Sequence, residues 1–587
     1  MKLARLIIRV ATAALIPSCL AATALAQSET TSNPTPGVIT GHIDAPGGES
    51  LTSGRAVAFP FSGGTTRATA KIDSSGNFKL SGLEPGLYGI SVVVPGLIPA
   101  PNSSPDARRY YRVGDNVNLT LIKGGVITGK VTNAANVPMV AAPVRFQRVA
   151  DGEGKRLPSP INSGETLTDD RGIYRRYSLA AGTYVVSTGG VSRSPGGPSL
   201  SIAYSDDLPT YAPSSTHEAA SEFVVRAGDE ITVDIQYRRE VGHTISGVIS
   251  GITDSSTAQI PPAFLSIVDV KSRSVIGSSG ASSYNNYGFE ISGLADGEYE
   301  LSAGQNEQAS LPLRVSIRGE DVTGLTLALR PLASIGGQVM FETDPKIECA
   351  KRRATARQET IISARRATAV EIGARAAKEA DAGIPILATN TLRETGLNEN
   401  SEFAVKSLQK GTYWIIPQPP DPGWFVKSIE TRPKATGARS TSNTSRDGIT
   451  INAGERISNV YVTLADGAGA IKGKVTVQKG KPLPARLRFY LVPAEKERSD
   501  NVLDYFEAGV QRDGTFSLAN ITPGRYFVFT RAAEDADANS IKSIKRDSDL
   551  RANILKAATT GNRQITLKPC EQSNDYEIPL TTPTSPQ

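Results

Sequence analysis

Alternating apolar and polar positions open five stretches of this chain. Each stretch places a glycine between two branched aliphatic residues, at a spacing of two. The five copies are Ile39-x-Gly41-x-Ile43, Ile127-x-Gly129-x-Val131, Ile245-x-Gly247-x-Ile249, Ile335-x-Gly337-x-Val339 and Ile471-x-Gly473-x-Val475. A period of two predicts β-strands that bury one face. The central glycine predicts either a bulge or the close approach of another backbone.

A second pattern follows each of these predicted strands. An aromatic residue is followed by a branched aliphatic residue, a glycine and a tyrosine at fixed offsets. The copies are Phe78-Leu83-Gly86-Tyr88, Tyr174-Leu179-Gly182-Tyr184, Phe289-Leu294-Gly297-Tyr299, Phe403-Leu408-Gly411-Tyr413 and Phe516-Ile521-Gly524-Tyr526. Identical offsets in five places indicate a repeat protein. The Gly-x-Tyr ending resembles a tyrosine corner, in which the tyrosine hydroxyl bonds to nearby backbone.

A third pattern closes each unit with a turn into a last alternating strand. The predicted turns are Gly114-Asp115, Gly228-Asp229, Gly319-Glu320, Gly454-Glu455 and Gly561-Asn562. The predicted units are residues 37–123, 124–241, 242–331, 332–466 and 467–570. Short alternating strands between turn residues predict an all-β fold, a tandem array of five antiparallel β-sandwiches.

Several segments interrupt these patterns. Residues 27–36 and 571–587 are polar and rich in proline, which predicts a disordered linker and a disordered tail. Residues 191–222 are predicted to form a long loop in the second unit, and residues 349–380 a basic insert in the fourth. Helix-forming composition at 369–380 and 547–558 predicts minor helical insertions. Links between units are short, and five domains in line would form a semi-rigid rod on the order of 150 Å long.

Two copies of the motif carry a family resemblance. Their residues are Asp73, Gly76, Phe78, Leu80, Leu83, Pro85, Gly86 and Tyr88 in the first unit, and Asp513, Gly514, Phe516, Leu518, Ile521, Pro523, Gly524 and Tyr526 in the fifth. This stretch resembles the carboxypeptidase regulatory-like domain, a prealbumin-like (transthyretin-like) sandwich that overlaps with collagen-adhesin B-type repeats. The resemblance implies a sandwich without an active site, common in secreted or envelope proteins, with related folds that often bind carbohydrate. Tyr287 and Ser401 replace the turn glycine in the third and fourth units.

Residues 1–26 resemble a secretory signal peptide. Lys2, Arg5 and Arg9 precede a short apolar run, and Ala24-Leu25-Ala26 offers a cleavage site before Gln27. An alternative uses Cys19 as a lipid-modified residue. We therefore expect an exported protein that is periplasmic, associated with the outer membrane or extracellular, with no transmembrane segment after signal removal.

Two cysteines remain after Cys19, namely Cys349 and Cys570. In an oxidising compartment they could form a disulfide between the fourth and fifth units, or they could stay as two buried thiols. Sequence leaves both alternatives open, because geometry decides whether two cysteines pair.

Charge and composition exclude several function classes. The formal net charge of +6 includes three basic residues of the predicted signal peptide, so the mature chain offers too weak a field for nucleic-acid binding. The three histidines, His42, His217 and His243, lie in three different units and in no zinc-ligand motif, so we expect no metal site, no cofactor and no metallopeptidase.

Candidate ligand-binding residues lie in the second and fourth units. The long loop carries Tyr204, Asp206, Asp207, Tyr211, His217 and Glu218, and the fourth unit carries Trp414 and Trp424. Aromatic rings could stack on sugars and carboxylates could accept hydroxyl bonds, although a loop packing on its own sandwich explains the same residues. The sequence thus favours a non-catalytic binding, adhesion or spacer scaffold at a bacterial envelope, whose partner is an envelope protein or a glycan. A carbohydrate-binding protein using these aromatic residues is the alternative.

Overall fold

The computed structural model describes twelve stretches of the chain and two short pieces between them. They are residues 37–45, 50–61, 67–100, 110–190, 204–252, 262–347, 349, 357–367, 392–432, 442–477, 483–484, 487–511, 513–532 and 543–580. By contacts the chain divides into two units, Met1–Thr35 and Pro36–Gln587, and every described residue belongs to the second. The predicted signal peptide and the linker 27–36 therefore lie outside the described residues.

Strands dominate the described residues, as the alternation predicts. The first sandwich contains Gly37–Asp44, Arg55–Pro60, Ala68–Lys71, Asn77–Leu83, Leu87–Val93, Leu97–Pro99, Tyr111–Arg112 and Asn116–Lys123. The second contains Gly125–Thr132, Pro143–Ala150, Arg156–Leu167, Ile173–Leu179, Gly182–Thr188, Thr210–Tyr211, Phe223–Val225, Glu230–Thr232 and Ile235–Gln236. The third contains His243–Ser250, Ala263–Asp269, Val275–Ala281, Gly288–Leu294, Gly297–Gln305, Gln308–Ser310, Leu313–Ile317 and Val322–Pro331.

The last two sandwiches follow the same order. The fourth contains Ala333–Glu342, Ile361–Arg366, Leu392–Gly396, Glu402–Leu408, Gly411–Gln418, Trp424–Thr431, Ser442–Asn443, Ile449–Ile451 and Arg456–Asp466. The fifth contains Gly469–Thr476, Leu487–Pro493, Phe506–Gly509, Thr515–Ile521, Gly524–Ala532, Gln564–Leu567 and Gln572–Pro579. The described helices are Thr444–Asp447 and Ser548–Gly561, with short 3-10 turns at His217–Ala219, Ser283–Asn285, Arg357–Glu359, Lys496–Arg498 and Val502–Asp504.

Each sandwich encloses its own hydrophobic core. The two branched residues of every opening strand are buried there, together with the aromatic, aliphatic and tyrosine residues of the same motif copy. In the fifth sandwich a further cluster forms where Ser548–Gly561 packs, burying Ile554 and Ala558 against Tyr490 and Phe527. The Asp547 side chain caps this helix by accepting a hydrogen bond from the Leu550 N–H, which explains why the helix begins where composition predicts it.

The opening strand is central to one sheet in every sandwich. It pairs antiparallel with the strand that carries the motif aromatic residue. It also pairs parallel with the closing strand, so the otherwise antiparallel sandwich holds one parallel pair in each repeat. A Cβ on the central glycine would collide with a carbonyl oxygen of the closing segment, at Val117, Val233, Leu325, Val460 or Tyr576. Close backbone approach therefore requires these glycines, and a register shift accompanies it in the third, fourth and fifth repeats.

The five motif tyrosines form tyrosine corners. Each hydroxyl donates a hydrogen bond to the backbone carbonyl four residues upstream, over 2.5–2.9 Å. The acceptors are Glu84, Ala180, Ala295, Gln409 and Thr522. The turn before the motif is equally regular, because Tyr287 and Ser401 adopt φ values of 55° and 61° where other copies have a left-handed glycine.

Two predicted segments differ from the structure. The predicted disordered tail contains the strand Gln572–Pro579, which pairs with Gly469–Thr476 and closes the fifth sandwich. The predicted turn Gly561-Asn562 instead ends a helix, and the closing turn is Cys570-Glu571, where the Glu571 carboxylate accepts from the Lys568 N–H. Cys570 has φ of 63° in the position that glycine takes in other repeats.

The predicted insert 349–380 also contains a core strand. Ile361–Arg366 pairs with Gly411–Gln418 and Leu392–Gly396, and its Ile362 and Ala364 side chains are buried in the fourth core. The sequence did not predict this strand, because its few apolar residues are followed by charged ones. The predicted helix at 369–380 lies outside the described residues.

Neighbouring sandwiches are joined by one recurring backbone hydrogen bond. The residue immediately before each opening strand donates its N–H to a carbonyl of the preceding sandwich, over 2.8–2.9 Å. The four bonds run from Gly124 to Gly96, from Gly242 to Asp206, from Leu332 to Glu307 and from Ala468 to Gly423. All four junctions are therefore fixed at the same point of the repeat.

Contacts between more distant sandwiches are also present. Arg112 of the first sandwich pairs with the buried Glu359 of the fourth, and the Tyr110 hydroxyl donates to Glu394 over 3.1 Å. Five sandwiches strictly in line would bring no such residues together, so the expected linear arrangement is wrong for the first and fourth sandwiches.

Cys349 and Cys570 are joined by a disulfide with a Cα–Cα distance of 5.5 Å, which links the fourth and fifth sandwiches covalently.

Candidate functional site

The described part of the long loop packs on its own sandwich. The Tyr204 hydroxyl donates to the Val140 carbonyl over 2.6 Å, and its ring meets Tyr237 edge to face. Asp207 accepts a 2.6 Å hydrogen bond from the Tyr237 hydroxyl; burial, reinforced by this carboxylate, raises the pKa of Tyr237. These contacts hold the half-buried Tyr204 side chain on its own sandwich.

Tyr211 and Asp206 have different neighbours. Tyr211 is 6% exposed and its ring contacts the His217 ring edge to face, at 5.1 Å between centroids. Asp206 lies at the junction, where its carbonyl accepts from the Gly242 N–H, and its carboxylate accepts from Ser205. The structure thus places Tyr204 and Asp207 in one network and Tyr211 in another.

The two tryptophans lie in different sheets. Trp414 is 5% exposed and the Arg546 guanidinium of the fifth sandwich lies over its ring at 4.3 Å. Trp424 is half-buried, meets Phe341 edge to face, and its carbonyl accepts from Asn520 of the fifth sandwich. Both residues therefore contribute to the contact between the fourth and fifth sandwiches, and they form no joint stacking platform.

A cleft of about 960 Å³ lies between the second and third sandwiches. One wall contains Tyr211, His217 and Glu218, which belong to the predicted long loop. The opposite wall comes from the turn after Ala263–Asp269 and from the motif loop before Tyr299. The sequence patterns did not indicate either segment as a binding surface. Apolar side chains also line the cleft, namely Leu208, Pro209, Ile276 and Ala295, with the buried Leu294 behind them.

Carboxylates dominate the charged lining of this cleft. They are Glu218, Glu240, Asp269, Asp296 and Glu298, against the basic residues Arg238 and Lys271. Lys271 bridges the two sandwiches through a 2.6 Å ion pair with Glu218, which lowers the pKa of the carboxyl and raises that of the amine. Both side chains are more than three-quarters exposed, so the pair is solvent-screened and contributes little stability.

The sequence contains one indication of the cleft wall that the third sandwich forms. The residue before the motif glycine is Asp296 in the third repeat, whereas the other copies have proline, alanine or lysine. In the structure Asp296 accepts a hydrogen bond from the Gly319 N–H and lies 3.5 Å from the His243 ring.

Metal-binding and basic-surface predictions have separate outcomes. Within the described residues, no group of three or more His, Cys, Asp or Glu side chains is placed to hold a metal ion. Of the basic insert, Arg357 lies over the Phe341 ring and Arg366 is 5% exposed, while residues 350–356 and 368–380 lie outside the described part. Among the described helices, none combines the length and apolar character needed to span a membrane.

Comparisons with known proteins return only distant structural matches. No family model matches, and no curated protein is a significant match, so the resemblance to the carboxypeptidase regulatory-like domain stays a prediction. The Bacillus anthracis TIE protein is 12% identical, covering 74% of this chain and 70% of its own, with a TM-score of 0.14. Two B repeat units of the collagen binding protein of Staphylococcus aureus are 9% identical, covering 74% and 99%, with a TM-score of 0.13. A streptococcal ancillary pilin is 12% identical, covering 50% and 99%, with a TM-score of 0.14. Scores this low carry no argument about function.

Proposed function

We propose that this chain is an exported, non-catalytic scaffold whose five β-sandwiches act as a spacer, adhesion or interaction array at a bacterial envelope. The observation that carries the proposal is the backbone hydrogen bond that recurs at all four junctions. Because backbone atoms make this bond, it does not depend on side-chain identity. It holds the start of each sandwich against the sandwich before it, at the same position in every repeat.

Side chains and a covalent bond reinforce the junctions. Lys406 pairs with Glu307 at 2.8 Å between the fourth and third sandwiches, and the Arg546 guanidinium donates to the Ser445 carbonyl between the fifth and fourth. The disulfide between Cys349 and Cys570 adds a fixed connection there. A scaffold that presents surfaces at defined spacing needs such junctions, whereas independent domains on flexible linkers do not.

The carbohydrate-binding alternative has less support from the geometry. Sugar stacking needs an open aromatic face, and Tyr211 and Trp414 are both nearly buried while Tyr204 packs on Tyr237. Trp424 is half-buried, like Tyr204, and its ring meets Phe341 edge to face.

Distance measurements between spin labels test the scaffold directly. Labels at Tyr177→Cys and Tyr284→Cys occupy exposed positions on the second and third sandwiches, at 58% and 98% exposure. We expect a narrow distance distribution, and a broad one in a control with a flexible Gly/Ser linker inserted between residues 241 and 242. Equal widths in the two proteins would reject a fixed junction. Export is tested by the mass of the chain recovered from the envelope or medium, which should begin at Gln27.

A further inference from the structure

The cleft between the second and third sandwiches has walls that are held in place by backbone contacts. The Leu208 N–H donates to the Glu240 carbonyl over 2.6 Å, and the Arg238 N–H donates to the Thr210 hydroxyl over 3.2 Å. Gly293 approaches the Ser205 and Asp207 carbonyls so closely that a Cβ there would lie 2.5–2.7 Å from them. The cleft is therefore preformed, and its volume lies within the range of pockets that bind small molecules or peptide side chains.

The chemistry of the lining selects among ligands. Five carboxylates face two basic side chains, a formal net charge of −3 with His217 neutral. The carboxylates therefore attract cations, while the apolar part of the lining suits hydrocarbon. A bound anion would be repelled, and a sugar would find no open ring at Tyr211 or Tyr299, which are only 6% and 5% exposed.

Lysine and arginine side chains combine the two properties that the cleft offers. Their aliphatic stems cover apolar surface while the charged head reaches a polar rim. We propose that this cleft binds a short, extended peptide segment of a partner protein in which basic residues alternate with apolar ones. The apolar side chains lie on Leu208, Ile276 and Ala295, and the basic heads reach Glu240, Asp269 and Glu298.

The Glu218–Lys271 pair crosses the same cleft and limits access at one side. Its exposure means that it opens at small cost, so an incoming cation can replace the Lys271 amine at Glu218. Electrostatic complementarity of this kind contributes to the rate of association and to specificity more than to affinity, so binding weakens as salt is added. The assignment rests on the proposed scaffold role, because the cleft needs a fixed junction, and it adds the chemistry of the partner. A rigid junction without peptide binding would overturn this assignment alone.

Fluorescence anisotropy with the full mature chain tests the proposal. The probe is a fluorescein-labelled hexapeptide of alternating lysine and leucine, and the control probe alternates glutamate and leucine. The double variant Glu240→Gln with Glu298→Gln removes two rim charges at nearly constant shape. Glu290→Gln is the matched control, because Glu290 is exposed on the same sandwich outside the cleft. Ala295→Arg places a positive charge inside the cleft, and thermal unfolding checks that each variant folds.

We expect saturable binding of the basic peptide, weakened at least tenfold by the double variant and by Ala295→Arg, and unchanged by Glu290→Gln. Binding of the glutamate peptide to the same extent would overturn the proposal. An unaltered affinity in the double variant and in Ala295→Arg would also overturn it. Displacement of the peptide by lysine amide at equal concentration would assign the cleft to small organic cations instead.

Discussion

Arg112 of the first sandwich lies 3.7 Å from Glu359 of the fourth, and the Glu359 side chain is only 2% exposed. A carboxylate this deeply buried depends on nearby positive charge, since removal of one member of a buried pair leaves the other poorly solvated. The contact therefore ties the first sandwich to the fourth across two intervening repeats.

Replacement of Arg112 should loosen that contact. We expect Arg112→Gln to cost about 1–3 kcal/mol at the interface, because Glu359 loses a cationic neighbour. Hydrogen exchange should then speed up in the segments around residues 110–113 and 357–366. Arg55→Gln, an exposed change in the same sandwich, is the control. Unchanged protection at 357–366 would show that the pair does not hold the two sandwiches together.

The tyrosine corners predict a small, local loss of stability. Tyr184 is fully buried and its hydroxyl donates to Ala180, so Tyr184→Phe leaves a carbonyl without its hydrogen bond at nearly constant volume. We expect a loss of about 1 kcal/mol, measured as roughly fivefold faster exchange in residues 182–188. Tyr177→Phe, at an exposed position of the preceding strand, should change nothing. Similar effects from both variants would contradict the structural role of the corner.

The opening glycines predict a larger effect. In the fifth sandwich a Cβ at Gly473 would collide with the Tyr576 carbonyl, whereas a Cβ at Gly509 meets nothing within 4 Å. We expect Gly473→Ala to destabilise this sandwich by about 2 kcal/mol or more, because the closing strand must move. Gly509→Ala should be neutral or slightly stabilising, since it lowers the entropy of the unfolded chain. Calorimetry on the full chain can compare the two, and equal stabilities would refute the close approach.

Stability should depend on pH through Lys545. Burial, together with the nearby Arg546 guanidinium, lowers the pKa of Lys545 from 10.5 to about 8. Its ammonium group lies over the Phe506 ring at 4.8 Å, 3.5 Å from the Leu503 carbonyl, with Asp504 and Glu507 as the acidic neighbours. Between pH 8 and 10.5 the unfolded chain binds a proton that the folded chain has released, so stability rises with pH in this window.

The expected gain is about 1–2 kcal/mol between about pH 8 and pH 9.5, a range in which tyrosines are still mostly protonated in the unfolded chain. Denaturant unfolding at both pH values measures it. Lys545→Met should remove the dependence while keeping the stem that packs on Phe506. If wild-type stability does not rise relative to that of Lys545→Met over this range, the lowered pKa of Lys545 is rejected, because the buried tyrosines affect both proteins equally.

Cys570 predicts different effects for two replacements. Its φ of 63° is unfavourable for a residue with a Cβ, and the closing turn holds it there, with the Cys570 N–H donating to the Gly467 carbonyl over 2.9 Å. In a Cys349→Ser background, Cys570→Gly should therefore be more stable than Cys570→Ser by about 1 kcal/mol. Thermal unfolding of the two double variants provides the comparison. If the serine variant is equally stable, the left-handed turn imposes no cost.

The sequence patterns predicted the structural features that recur in all five units, and they did not predict the features that occur in only one unit. The core residues and the tyrosine corners follow from periodicity and fixed offsets, because each depends only on local strand geometry. The strand Gln572–Pro579 was missed because Cys570 and Glu571 replace the Gly-Asp turn and the strand itself is polar. Ile361–Arg366 was missed because only three of its residues are apolar, namely Ile361, Ile362 and Ala364, and two arginines end it.

The cleft could not be predicted because its walls come from two sandwiches. Glu240, Asp269 and Glu298 lie at separate places in the chain, and nothing in a repeat pattern says which surfaces of neighbouring units meet. The same reason explains why the pair of Arg112 and Glu359 was missed. Only the loop residues Tyr211, His217 and Glu218, which are close in sequence, were selected together.

The bond between Cys349 and Cys570 closes a covalent ring that includes most of the fourth sandwich and most of the fifth. A protease that cuts the backbone once inside this ring opens it without separating the chain into two pieces. Surface exposed to proteolysis between these cysteines can therefore be nicked while both ends of the protein stay attached, and the break becomes visible only after reduction.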